Sequence, residues 1–122
     1  MIIGIGCDVV QIPRIELVMQ KFGSKFLQRI FSDIEMQLMI DGPNKYSYVA
    51  KRFAAKEAFA KAVGSGIGHA MRFRDIEVLK TSSGKPLFSH KTLLLAGDSV
   101  NAFLSISDDY PTAIAQVVLL TH

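Results

Sequence analysis

The sequence predicts one α+β domain in which a largely antiparallel sheet packs against a long central helix. Three observations carry that prediction. Helical periodicity fills most of the first half of the chain and strand periodicity the second. The stretch from Lys45 to Val63 is rich in alanine and free of glycine and proline, which makes it the longest helical segment. A chain of 122 residues can bury one hydrophobic core and is too short for two ordinary domains, so residues 1–122 read as a single domain.

In chain order, residues 2–7 alternate strongly apolar side chains with glycine, the pattern of an opening strand with one face bare enough for close backbone approach. Counting by two puts Asp8, at the end of that strand, on the face of Gly4 and Gly6. From Pro13, the residues Ile15, Val18, Met19 and Phe22 recur at helical spacing, with proline in the first turn and Gly23 near the end. Ser32-Asp33-Ile34-Glu35 has the form of a capping box opening a short helix, and Asp41-Gly42-Pro43-Asn44 is a turn. Gly64-Ser65-Gly66-Ile67-Gly68 stops the long helix. Residues 75–80, 87–90, 102–106 and 113–120 then read as strands. Residues 82–86 turn between the first two, and 92–96 form a short helix or loop. The opening strand joins the sheet or its edge.

An apolar share of 49% and a charged share of 20% belong to a globular chain. No apolar run approaches the ~18 residues of a membrane span, so no membrane association is expected. The first residues carry no basic leader and reach Asp8 almost at once, unlike a signal peptide. One cysteine, Cys7, rules out an internal disulfide framework and suits a reducing compartment, so the expected location is cytoplasmic. The net charge of +3 is mild, but the basic residues are weighted to the first half. That weighting fits an anionic partner or simply a solvated surface. Nucleic acid is not an expected partner, since no stacking platform or binding motif accompanies the charge.

Two acids stand out. Glu57 shares a helix face with Ala50, Phe53, Ala54 and Lys61, and a carboxylate among small and apolar residues needs a cation, a metal or a strong donor. The alternative is an i,i+4 ion pair with Lys61. Asp8 is either a cap for the helix that follows or part of a site. Together they form a hard oxygen-ligand pair suited to magnesium, an ion typically held by one or two carboxylates plus water and substrate phosphates. The glycine loop after Val63 could cradle phosphate or merely end a helix; it is neither a Walker loop nor a dinucleotide fingerprint. Arg14, Lys21 and Lys25 line one face only if their helix continues past Gly23.

These pieces match a known family pattern. Gly4-Ile5-Gly6-Cys7-Asp8-Val9-Val10 with Arg14-Ile15, and residues 52–62 (RFAAKEAFAKA) with Gly64-Ser65-Gly66-Ile67, resemble the first two signatures of holo-acyl-carrier-protein synthases. Asp75-Ile76-Glu77-Val78 with Gly84-Lys85-Pro86, and residues 104–107 with 113–115, resemble the last two. The order is right and nearly the whole chain is covered. The resemblance implies transfer of 4′-phosphopantetheine from coenzyme A to a serine of acyl carrier protein, with Asp8 and Glu57 holding magnesium and Lys61 assisting the departing phosphate. It implies Glu57, or a water held by Asp8, as the base. It assigns Arg52, Gly64, Ser65, Gly66, Gly84, Lys85 and Pro86 to the nucleotide of coenzyme A, and Arg14, Lys21, Lys25 and Arg29 to the carrier protein. It further implies a homotrimer with sites between subunits. In one respect the chain departs: where the family usually has histidine after Ser107, this sequence has Asp108 and Asp109. Asp108 is then an added metal ligand, a residue turned away, or the mark of an altered or catalytically idle relative that only binds.

Overall fold

In the computed structural model, which describes residues 1–121, the order of elements is β1 (Ile2–Gln11), α1 (Ile12–Phe22), α2 (Ser24–Ile30), α3 (Asp33–Leu38), α4 (Lys45–Val63), a 3₁₀ turn (Phe73–Asp75), β2 (Val78–Lys80), β3 (Pro86–Phe88), α5 (His90–Leu94), β4 (Val100–Asp109) and β5 (Thr112–Thr121). The strands β1, β5 and β4, in that spatial order, form an antiparallel sheet with β1 at its edge. A separate antiparallel ribbon joins β2 and β3.

The α4 helix is buried around most of its circumference. One side meets the inner face of the sheet, where Ala113, Ala115, Val117 and Leu119 of β5 are buried, and other sides meet α1 and the 3₁₀ turn. Small side chains allow that crowding. A methyl group on Gly6 would overlap the Ala58 carbonyl oxygen and lie 2.8 Å from the Ala62 nitrogen; one on Gly4 would overlap the Ala62 carbonyl oxygen. The alternating glycines of β1 therefore let strand backbone rest directly on helix backbone, and they set the depth at which Asp8 meets α4.

Several boundaries differ from the sequence reading. β1 does not stop at residue 7: pairing with β5 continues to Gln11 opposite Thr112, so Asp8 lies inside the strand, opposite Ala115. The helix beginning near Pro13 ends at Gly23, whose φ of 56° suits glycine, and α2 starts afresh. Arg14 and Lys21 thus lie on a different helix from Lys25 and Arg29, and no single stripe joins them. The segment 75–80 is a strand only from Val78, because the 3₁₀ turn, closed by Arg72 bonding Asp75, occupies its start. The strand at 87–90 gives way after Phe88, where Ser89 caps α5 by accepting from the Thr92 amide. The capping box at Ser32 and Glu35 and the limits of α4 are as the sequence predicts. Among the described residues no helix is long and apolar enough to cross a membrane.

Candidate active site

Asp8 does not cap α1. The cap position belongs to Gln11, and no side chain bonds there. Instead Asp8 points across the glycine contact to α4, where its Oδ1 accepts from Lys61 Nζ at 2.9 Å. Lys61 Nζ also donates to the Cys7 carbonyl at 3.1 Å. The alternative reading, a local ion pair of Glu57 with Lys61, is not what forms: Lys61 makes a long-range pair between α4 and β1. Lys61 is half exposed, so the pair stabilises the fold by at most about 1 kcal/mol and serves chiefly to orient the groups.

Glu57 sits between them electrostatically. Burial first, and the nearby Asp8 charge second, raise its carboxyl above the usual glutamate range, while Lys61 partly offsets the shift. Two carboxylates that repel one another beside a single lysine are a ready seat for a divalent cation. Among the described residues no group of three or more histidine, cysteine or acidic side chains could hold a metal. A cation here would have to draw its remaining ligands from water and substrate, as magnesium does.

Gly64, Ser65 and Gly66 follow one turn after Lys61. Gly64 is a left-handed helix cap (φ 97°), and the Gly64 and Gly66 amides both turn back to the Ala60 carbonyl. Their amides are spent on the helix end, so a phosphate cradle would need that cap to open. Gly84 and Lys85 occupy the turn of the β2–β3 ribbon and Pro86 opens β3; no hydrogen bond or ion pair links them to Asp8, Glu57 or Lys61 among the described residues. Arg52 is buried, with its guanidinium 3.8 Å from the centre of the Tyr48 ring and its Nε without a partner. Asp108 pairs with Lys51 at 3.3 Å, and among the described residues it belongs to no group of three or more potential metal ligands.

Sequence reasoning missed an aromatic groove of about 760 Å³. Phe22, Phe26, Phe53 and Phe73 line it, and Lys25, Arg29, Arg72 and Arg74 surround them. Phe53 and Phe73 stack with centroids 4.9 Å apart. Phe53 lies one helical turn before Glu57, so groove and carboxylate pair share a face of α4. Arg72 and Arg74 flanking Phe73 were the available signal. Equally unforeseen is a fully buried ion pair of Lys56 with Glu35, 2.6 Å apart. Burial pulls the Lys56 ammonium down to about 8 against the attraction of Glu35.

Known proteins share this chain's sequence and fold along nearly its whole length. Holo-[acyl-carrier-protein] synthase of Bartonella bacilliformis is 42% identical over 98% of this chain and 96% of its own length. The crystal structure of the synthase from Bacillus anthracis, in complex with CoA (3′,5′-ADP), superposes with a TM-score of 0.86 at 40% identity, covering 100% of this chain and 99% of that one. For the synthase from Neisseria meningitidis the values are 0.88 and 41%, over 99% and 100%. The family model for the 4′-phosphopantetheinyl transferase superfamily matches residues 4–115, a span from the first glycine contact on β1 through Glu57 and Lys61 to the middle of β5. With sequence and topology in agreement, this chain belongs to the 4′-phosphopantetheinyl transferase superfamily.

Proposed function

We propose that the protein is a holo-acyl-carrier-protein synthase, transferring the 4′-phosphopantetheine arm of coenzyme A to a serine hydroxyl of apo acyl carrier protein and releasing adenosine 3′,5′-bisphosphate. The supporting observation is the convergence of Asp8, Glu57 and Lys61 across the β1–α4 contact in a chain so similar to named synthases. Asp8 and Glu57 would hold magnesium, which when bound would supply polarisation of the phosphate under attack and compensation of charge on the leaving group. Glu57, or a water held by Asp8, accepts the serine proton. Lys61 shifts from Asp8 toward the departing phosphate. Arg52, with no hydrogen-bond partner for its buried Nε, is available to an anionic part of coenzyme A, and its stacking on Tyr48 fixes the guanidinium plane. Residues 64–66, once the cap of α4 opens to free their amides, and residues 84–86 complete the nucleotide contacts. Pairing with Lys51 offsets the charge of Asp108; an idle relative would bind carrier or coenzyme A without transferring the arm.

The carrier docks at the aromatic groove. Its walls accept the apolar stripe of an amphipathic helix, and Lys25 and Arg29, which have no ion-pair partner among the described residues, attract acidic side chains. Arg14 and Lys21 extend the basic field from α1. The double charge reversal Lys25→Glu with Arg29→Glu is expected to raise the Michaelis constant for the carrier about tenfold or more, leaving kcat at saturating carrier within about twofold. Steady-state kinetics at two salt concentrations check this, because the wild-type constant should be the more salt-sensitive.

The outer face of the β1-β5-β4 sheet supports the homotrimer. Ile3, Ile5, Val9, Phe103 and Ile114 lie on it at 40–61% exposure, a patch that a second copy of the chain would cover. Phe103→Asp should therefore break the assembly, which analytical ultracentrifugation reads as a loss of mass to the single chain. A cytoplasmic location accords with the lone, unpaired Cys7. The direct test of the activity is to incubate the protein with coenzyme A, magnesium and apo acyl carrier protein and weigh the carrier by mass spectrometry. Added phosphopantetheine mass is expected; an unchanged carrier contradicts the proposal.

A further inference from the structure

The central helix places an ammonium group where an apolar side chain would fit at less cost. Lys56 is fully buried, its Nζ 5.2 Å from the centre of the Phe31 ring, and desolvating a charge is expensive unless every proton is used. Here all three are. Lys56 Nζ donates to the Ile30 carbonyl at 2.6 Å, to Glu35 Oε1 at 2.6 Å and to the Phe73 carbonyl at 3.0 Å. These acceptors come from the end of α2, from α3 and from the 3₁₀ turn. Glu35 extends the link, accepting from the Ser32 amide at 2.9 Å and the Val78 amide at 3.0 Å.

Ile30 and Phe73 both line the aromatic groove. They are 43 positions apart in sequence, on segments that share few other bonds; Arg74 donating to the Gln28 carbonyl at 2.8 Å is one. We propose that Lys56 is a positioning residue for carrier docking, clasping both walls of the groove to α4 one residue before Glu57. The inference rests on the carrier-docking reading above and deepens it. The clasp sets the width of the groove and its register against the carboxylate pair, so that a serine presented by the docked carrier arrives at Glu57. Lys56 touches neither substrate nor metal in this role and acts through the groove.

The test compares wild type with Lys56→Met. A second variant, Lys56→Met with Glu35→Gln, leaves neither half of this buried pair charged and alone and serves if the first fails to fold. Calorimetric affinity for apo acyl carrier protein, Michaelis constants for carrier and for coenzyme A, and amide exchange at residues 26–30 and 73–76 are measured in the variant that melts cooperatively. The expected result is carrier binding weaker by about tenfold or more, a Michaelis constant for coenzyme A within about twofold, and faster exchange on both walls. Unchanged carrier affinity, or an equal rise in both Michaelis constants, overturns the inference and leaves Lys56 a support of the fold alone. Exchange that does not quicken also overturns it, whatever the carrier does. A wild-type protein that binds no carrier defeats the docking reading itself, and that failure is seen before any variant is made.

Discussion

Glu57→Gln is expected to reduce transfer at least about 100-fold, a barrier increase of about 2.7 kcal/mol at 1.36 kcal/mol per factor of ten. The substitution keeps the size of the side chain and removes only its charge. Glu57 is half-buried and makes no hydrogen bond or ion pair that the fold requires, so the protein should melt as the wild type does. What disappears is one of two carboxylates facing a common cation, and with it a candidate acceptor for the serine proton. A neutral amide also relieves the burial cost and, after it, the repulsion from Asp8 that raise the Glu57 carboxyl in the wild type. The variant should therefore be no less stable while being nearly inactive. Initial rates with saturating coenzyme A and carrier, alongside thermal melting, check both halves. Retained activity refutes the role given to Glu57.

Gly6→Ala should have the largest effect on stability. The added methyl overlaps the backbone oxygen of Ala58, and backbone cannot rotate aside as a side chain can. Either β1 lifts from α4 or the helix bends, at a cost of about 3 kcal/mol or more, near the upper end for overpacking. A melting temperature lower by about 10 °C or more follows for a domain of this size. Activity should fall further than stability, because Asp8 lies two residues along the same strand face and moves with it. Cys7→Ala provides the control: Cys7 is exposed and points to the opposite face, so the same methyl-sized side chain there should be tolerated.

The parts of this fold that were legible in sequence are those fixed by local chemistry. The alanine-rich composition defined α4 from Lys45 to Val63, and Ser32 with Glu35 announced a cap that the structure forms. The bare face of β1 was readable because glycine at alternate positions has few other uses in a strand. Asp8, Glu57 and Lys61 converge because they lie on facing surfaces of two well-defined elements. What stayed hidden depended on partners far away in the chain. Nothing near Asp75 distinguishes a 3₁₀ turn from the start of a strand until Arg72 folds back on it. The length of β1 is set by β5, more than a hundred residues later. The groove needs Phe22 and Phe26 from one region to meet Phe53 and Phe73 from two others. The partner of Lys61 was hidden for the same reason: spacing along a helix offers Glu57, whereas tertiary packing supplies Asp8.

The central claim is most directly tested by titrating magnesium into the protein with coenzyme A bound, by calorimetry, for the wild type, Asp8→Asn, Glu57→Gln and the double variant. If Asp8 and Glu57 serve one ion, the wild type takes up one magnesium per chain, each single variant loses most of that affinity, and the double variant loses little more. Strictly additive losses, or a single variant that binds as tightly as the wild type, would mean that β1 and α4 do not share a cation.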